Sequence, residues 1–304
     1  AAARYFPEPN ANAGPFFRNN YFVVSPERNV VDGFTGRVDH IFNDKHRVSF
    51  NLTSSDAFAG AAKWFDNAAN PGLIDRDESS RDYGLQYIFT ISPETINTFA
   101  FSASGSGMQN VTDEETDYPA QLGLEGRLGT VFPAFHILDG YLDLGRANVI
   151  RRNFSHTYQA SNTFSTRFRN HNLRFIARAV KFQLNTYQPA YPSGHFQFQS
   201  AFTSLPGIVN TGHAFATCRR GQADFAELSV IDSPSYWRRS LTAGRIIDQL
   251  EVRKGLSLTF DLNLEHSLPR VEKYDRQSTV DLSAVNPKTG KKGALVFANR
   301  NGYG

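Results

Sequence analysis

Eight histidines, a single cysteine and two acidic runs are the residues of this sequence best suited to chemistry. His40, His46, His136, His156, His171, His195, His213 and His266 never recur at the i, i+4 spacing that puts two imidazoles on one helix face, nor beside the glutamate of a metalloprotease helix. A metal centre therefore has no motif behind it, and no metal ligand is assigned. Cys218 has no second cysteine with which to form a disulfide or a thiolate cluster, so a small buried or loop thiol is expected. Asp75-Arg76-Asp77-Glu78 and Thr112-Asp113-Glu114-Glu115-Thr116-Asp117 concentrate carboxylates that could hold calcium in a loop. Neither has the spaced oxygen ligands of a defined calcium loop, and a solvated loop surface is the plainer expectation. Neither a Gly-x-Ser-x-Gly elbow nor a phosphate-binding glycine loop occurs. No catalytic and no cofactor-binding residue follows, and the protein is expected not to be an enzyme and to use no cofactor.

The remaining candidates are aromatic. Tyr83, Tyr87, Phe89, Phe99 and Phe101 could form a stacking platform for a ligand, yet their period-two placement fits lipid contact or core packing better. With 26 Phe, 12 Tyr and 40% hydrophobic residues the sequence is rich in aromatics, while a mean hydropathy of -0.41 makes it polar as a whole. Strands with one apolar and one polar face reconcile these values. No uncharged apolar run approaches the about 20 residues of a spanning helix, which excludes a helical membrane protein. Barrel strands need only about 10 residues and bury every second side chain in lipid. The 32 basic residues are scattered among 29 acidic ones, and the net charge of +3 gives no reason to expect nucleic acid as a partner. The 304 residues suffice for one large all-β domain or two ordinary ones. Ala1 is not an initiator Met and opens no signal-peptide pattern, so a processed or cut N-terminus is expected.

The elements that would position these residues repeat a grammar of strand, short turn, strand and long loop. Phe34, Gly36, Val38, His40 and Phe42 alternate with Thr35, Arg37 and Asp39, turn through Asn43-Asp44-Lys45-His46, and return as Val48, Phe50 and Leu52 against Ser49, Asn51 and Thr53. Tyr83, Leu85, Tyr87, Phe89 and Ile91 open a second pair, which turns at Ser92-Pro93-Glu94-Thr95 into Phe99, Phe101 and Ala103. A third pair spans roughly 154–168 and 172–186 around Arg169-Asn170-His171-Asn172. Its apolar phase moves from Leu173, Phe175 and Ala177 to Val180, Phe182 and Leu184, which predicts a bulge near Arg178 or a different register. A fourth pair runs from about 236–250 to 256–265 around Arg253-Lys254-Gly255, with Leu258, Phe260, Leu262 and Leu264 set against Thr259, Asp261 and Asn263. A soluble β-sandwich shares this grammar, but loops such as 105–153 and 187–234 are long for a compact soluble domain.

Several segments resemble Oar-like TonB-dependent receptors of the acidobacterial type, in that family's order. They include Tyr5-Phe6-Pro7-Glu8-Pro9-Asn10, Asn19-Asn20-Tyr21-Phe22, Gly36-Arg37-Val38-Asp39-His40 and Asp44-Lys45-His46-Arg47. They continue with Phe132-Pro133-Ala134-Phe135-His136-Ile137-Leu138-Asp139-Gly140, Leu144-Gly145, Gly194-His195-Phe196-Gln197-Phe198 and Phe202-Thr203. The most specific match is terminal, from Glu272-Lys273-Tyr274-Asp275-Arg276 through Asn286-Pro287, Thr289-Gly290 and Gly293-Ala294-Leu295-Val296-Phe297-Ala298 to Gly302-Tyr303-Gly304. Where the family usually ends an aromatic-acidic strand in Gln-Asp-Asp-Trp, this chain reads Ile246-Ile247-Asp248-Gln249-Leu250-Glu251, and 216–250 has no assigned register.

The resemblance implies the middle of a barrel of about 22 strands. The expected fold is all-β, an antiparallel up-and-down transmembrane β-barrel, partial at roughly eight strands, with residues 1–304 as a single barrel segment and no visible plug domain. Loops 55–79, 105–153, 187–234 and 266–304 would face outward from the bacterial outer membrane. The implied function is uptake of a scarce nutrient, with outer-membrane lipid and, through a plug, the TonB complex as partners. The alternative is a structural or adhesive surface protein that pairs with other copies of itself through open strand edges. The Asn-x-Thr/Ser sites at Asn51, Asn110 and Asn153 carry no glycan in a bacterial chain.

Overall fold

The computed structural model describes residues 1–11, 19–126, 128–208 and 211–300, so Gly302-Tyr303-Gly304 of the terminal motif lies outside the described residues. β1 (Arg28–Asn43) and β2 (His46–Gly60), then β3 (Arg76–Ser92) and β4 (Thr95–Asn110), form two long hairpins. The next loop carries helix α1 (Tyr118–Leu122) and β5 (Ala134–Ile137), and leads to a third hairpin of β6 (Arg152–Phe168) and β7 (His171–Tyr187). A second folded loop holds β8 (His195–Phe198), helix α2 (Ala214–Arg219) and β9 (Phe225–Glu227), before the fourth hairpin of β10 (Ser235–Arg253) and β11 (Leu256–Ser267). β12 (Val271–Glu272), β13 (Ser278–Val285) and β14 (Lys292–Phe297) follow.

The eight hairpin strands form one antiparallel sheet in the order β1-β2-β3-β4-β6-β7-β10-β11, open among the described residues at β1 and β11, with β12 pairing β10 beyond the end of β11. All four tight turns share a rim. Backbone bonds run between neighbouring turns, from Thr90 N to Lys45 O at 2.8 Å, from Arg167 N to Glu94 O at 2.9 Å, and from Glu251 N to Asn170 O at 2.8 Å. The first turn is tied by the Asn43 side-chain oxygen, which accepts from Lys45 N and His46 N at 2.9 and 3.1 Å. The last places Gly255 at φ +83°, where a side chain would be strained.

β7 corrects one expectation. It carries no bulge, since its pairing with β6 runs unbroken from Phe168↔His171 to Arg152↔Tyr187, and its pairing with β10 from Leu250↔His171 to Ser235↔Thr186. The apolar phase inverts because the strand is longer than its apolar belt. Beyond Ala179 the outward positions become Lys181, Gln183 and Asn185, while Val180 on the opposite face is 3% exposed beside Leu241. The same pairing fixes the register of 235–250, and 216–232 contains most of α2 and all of β9. The loops are also shorter than expected. Strand pairing reaches Gly60, Arg76, Asn110 and Arg152, which trims the first two to 61–75 and 111–151.

Both buried hydrophobic clusters lie wholly or largely in these loops rather than in the sheet. Phe65, Phe132, Phe135, Ile137, Leu144 and Phe198 form one, and Val131, Val149 and Ile150 the other. The loops thus fold into a cap at the end of the sheet opposite the tight turns, organised around the three-stranded sheet β5-β8-β9.

Candidate functional site

Register sorts the eight-stranded sheet into two unlike faces. On one, Val38, Phe50, Leu85, Phe101, Ala160 and Ala179 lie side by side in a single row, and Tyr87 pairs with Phe99 in the next. Tyr83 and Phe89 stand on this face too, so all five aromatic residues with the spacing of a ligand platform, Tyr83, Tyr87, Phe89, Phe99 and Phe101, lie on it. They share this outward face with Leu262 and Leu264, which are 68% and 75% exposed. A continuous apolar surface of this kind has to be covered by something other than water.

The opposite face is polar. Near the turn rim, the Asp39 carboxylate accepts from Arg37 at 2.7 and 2.9 Å, Arg47 at 3.3 Å and Ser49 Oγ at 2.5 Å. Across the sheet Arg245 Nε donates to Asp261 at 2.8 Å. Asn51, Gln86, Ser102 and Gln159 line a depression of about 330 Å³. Further from the rim, Ser55, Ser80, Ser106 and Ser155 pair in one row across four strands and border a depression of about 410 Å³. Arg178, Asn263 and Glu265 line a third of about 710 Å³ between β7 and β11. The ion-paired charges and abundant hydroxyls and amides make a wall suited to water and polar solutes.

The model of one family, described as outer membrane beta barrel domain, matches residues 1–304. The chain belongs to that family. Its apolar face is accordingly the lipid face, its polar face the lumen wall, and its location the bacterial outer membrane. A comparison with curated proteins found no match. Long loops mark the extracellular side of such barrels, so the cap of this barrel domain is extracellular and its four turns are periplasmic.

The segments that resemble the Oar-like receptors make much of the cap. Phe132, Ala134, Phe135 and Ile137 are buried, and β5 runs parallel to β8, the His195–Phe198 segment. Gly145 approaches so closely that an added Cβ would meet Pro133 O at 2.2 Å, and its N–H donates to Ala69 O at 2.7 Å. Asp139 Oδ2 accepts from Ala214 N at 2.7 Å, tying one cap loop to the start of α2 in the other. Thr203 Oγ1 bonds His213 O and Thr217 Oγ1 at 3.1 and 3.2 Å. The N-terminal segment joins as well, with Tyr5 edge-on to Phe132 at 4.8 Å and Tyr21 OH donating to Trp64 O at 2.9 Å.

Glu272 of the terminal motif closes the cap onto β10. Its side chain is 1% exposed and ion-paired with Arg276 at 2.8 Å. It also accepts from the backbone N–H of Tyr236, Tyr274 and Arg276 at 3.0, 2.9 and 3.1 Å. The Arg276 guanidinium beside it, reinforced by these N–H groups, lowers the Glu272 carboxyl from the usual 4.5 to about 2. Arg276 lies over the rings of Tyr236 and Tyr274 at 5.5 and 4.9 Å and donates to Pro234 O at 2.7 Å. The clasp leaves no mark in the motif itself, because its partners lie about forty residues upstream on β10 and the turn before it.

The histidines are dispersed. His136 pairs with Asp143 at 2.7 Å, His195 with Glu227 at 2.9 Å and His171 with Asp248 at 2.7 Å. His46 contacts Tyr87 OH at 2.6 Å, His40 packs edge-on to Phe42, and His213 precedes α2 beside Tyr141. His156 and His266 stand on β6 and β11. Among the described residues no three His, Cys, Asp or Glu side chains converge on a metal-sized site. The acidic runs serve the loops. Asp113 accepts from Glu115 N, Thr116 N and Tyr118 OH at 3.0, 3.1 and 2.9 Å, and Asp117 caps α1 through Ala120 N at 3.0 Å. Asp75 accepts from Ala61 N at 2.9 Å and pairs with Lys63 at 3.2 Å, while Asp77 and Glu78 lie within β3. Cys218 sits in α2 against the cap core, and burial raises its thiol above the ordinary value.

Proposed function

We propose that this outer-membrane barrel domain takes up a scarce polar nutrient, with energy delivered by the TonB complex through a plug, and that its role is binding and passage rather than catalysis. The observation that carries the reading is the sorting of one sheet into a lipid face and a hydroxyl-rich lumen wall beneath a folded extracellular cap. The resemblance to Oar-like receptors supplies the TonB link. The test is solute depletion from the medium by a deletion strain and its parent, each with and without a protonophore. Uptake lost on deletion and on de-energising supports the reading; equal depletion by the two strains refutes uptake, and protonophore-resistant uptake refutes the TonB link.

A second reading rests on β1 and β11, each paired on one side only among the described residues. Such edges cannot stand unpaired in lipid, where each orphan backbone group costs several kcal/mol, and outside it they template pairing with other copies. Thr35→Cys on β1 and Asn263→Cys on β11, mixed as separate chains and oxidised, would yield an intermolecular disulfide if copies assemble edge to edge.

A further inference from the structure

Outward-facing charge is segregated above the lipid belt. On β1 to β3 the outward positions beyond the belt include Asp32, Asp56, Asp77 and Arg81, and Asp56 holds Arg81 bidentate at 2.7 and 2.8 Å. That sector is acidic on balance. On β6, β7 and β10 the corresponding positions are His156, Lys181, Gln183, Asn185, Ser240 and Arg238, and none is a carboxylate. Among the described residues none of the ion pairs includes His156, Lys181 or Arg238.

The register places these groups together. Lys181 pairs directly with Ser240, so Arg238, two residues along, is its diagonal neighbour, roughly 7–8 Å away. His156, Gln183 and Arg238 occupy one row across three strands, which spans about 10 Å. Arg238 is partly oriented, since Nη1 donates to Asn185 Oδ1 at 3.0 Å and to Trp237 O at 2.7 Å, and its guanidinium lies 5.8 Å from the Tyr236 ring. Those bonds use one nitrogen and leave Nε and Nη2 for a planar anionic acceptor.

We propose that Lys181, Arg238 and His156 form a docking surface for the phosphate-bearing headgroup of a glycolipid in the outer leaflet. Position decides for a lipid over other anions. Lys181 is the next outward residue after Ala179 and lies beside Tyr158, so it leaves the apolar belt where headgroups begin. The surface is continuous with the lipid face, on the cap side of the membrane, and does not depend on what the lumen carries.

The full chain, reconstituted in phosphatidylcholine liposomes doped with diphosphoryl lipid A, should retain that lipid through detergent extraction, read by native mass spectrometry. Liposomes doped with the dephosphorylated glycolipid should leave none bound. Lys181→Gln and Arg238→Gln should each weaken retention about fivefold, the effect expected for one cation at an anionic surface, and Lys181→Arg should restore it. Arg81→Gln, which removes a neutralised cation, should change nothing. Heat-modifiable gel mobility verifies that each variant is folded. Equal retention by the Lys181→Gln/Arg238→Gln double variant, equal retention of the dephosphorylated glycolipid, or full displacement by inorganic phosphate would each overturn the proposal.

Discussion

Phe135 and Phe260 are strand residues of one chain with opposite surroundings. Phe135 is buried in the cap, stacked near Phe196 and Phe198, while Phe260 is 58% exposed on the lipid face of β11. In the cap, apolar side chains turn inward and close-pack, as in a small soluble domain. In the belt they turn outward, and polar groups take the interior. The difference teaches that one sequence can fold against two solvents, with the boundary where the apolar phase of β7 inverts between Ala179 and Val180.

The sharpest way to break this comparison is to make one substitution in both places. Phe135→Ala should cost about 4 kcal/mol, because it loses the transfer of the ring and leaves a cavity in packed surroundings. Phe260→Ala should cost about 2 kcal/mol, since fluid lipid refills the space and only the transfer contribution is lost. Hydrogen exchange at β5 reads the first and urea titration of folding into bilayers the second. Equal costs would mean that the two regions do not differ in packing.

Leu262 and Asn263 test the belt alone. Leu262→Arg should cost about 2–4 kcal/mol if the residue lies near the bilayer midplane, whereas Asn263→Arg, facing the lumen, should cost far less. Similar losses in bilayer folding titrations would show the faces to be undifferentiated, and a larger loss for Asn263→Arg would show them reversed.

Acid should act on the cap before the belt. The folded Glu272 carboxyl is held at about 2 against an ordinary 4.5, so its ionised form favours the clasped state fully above pH 4.5, and that contribution fades as pH falls toward 2. Protease cleavage within 268–277 should therefore rise over that window. Glu272→Gln should cleave readily at neutral pH, with little further change on acidification. A wild-type profile that stays flat to pH 2 would show that the clasp is held by other contacts.

The smallest expected effect is kinetic. Burial of Cys218 against the cap core raises its thiol and shields it, so alkylation at neutral pH should be slow and should accelerate several-fold in Phe135→Ala. Unchanged labelling would separate α2 from the core that Phe135 supports.

Local alternation alone determined the four hairpins, their turns and the lipid-facing set Leu258, Phe260, Leu262 and Leu264, because the two faces of a strand differ at every step and both solvents select for that difference. The segments that resemble the Oar-like receptors were visible too, but their purpose was not. Phe132 through Gly140, Leu144-Gly145 and Glu272 through Arg276 function through partners distant in sequence, such as β8, Ala69 and Tyr236, so only tertiary structure could show a packed cap in place of long solvated loops. The phase change in β7 was legible as an anomaly and illegible as a cause. A bulge and an exit from lipid leave the same mark on a sequence, and only unbroken pairing to both neighbours, with Val180 covered and Lys181 turned outward, distinguishes them.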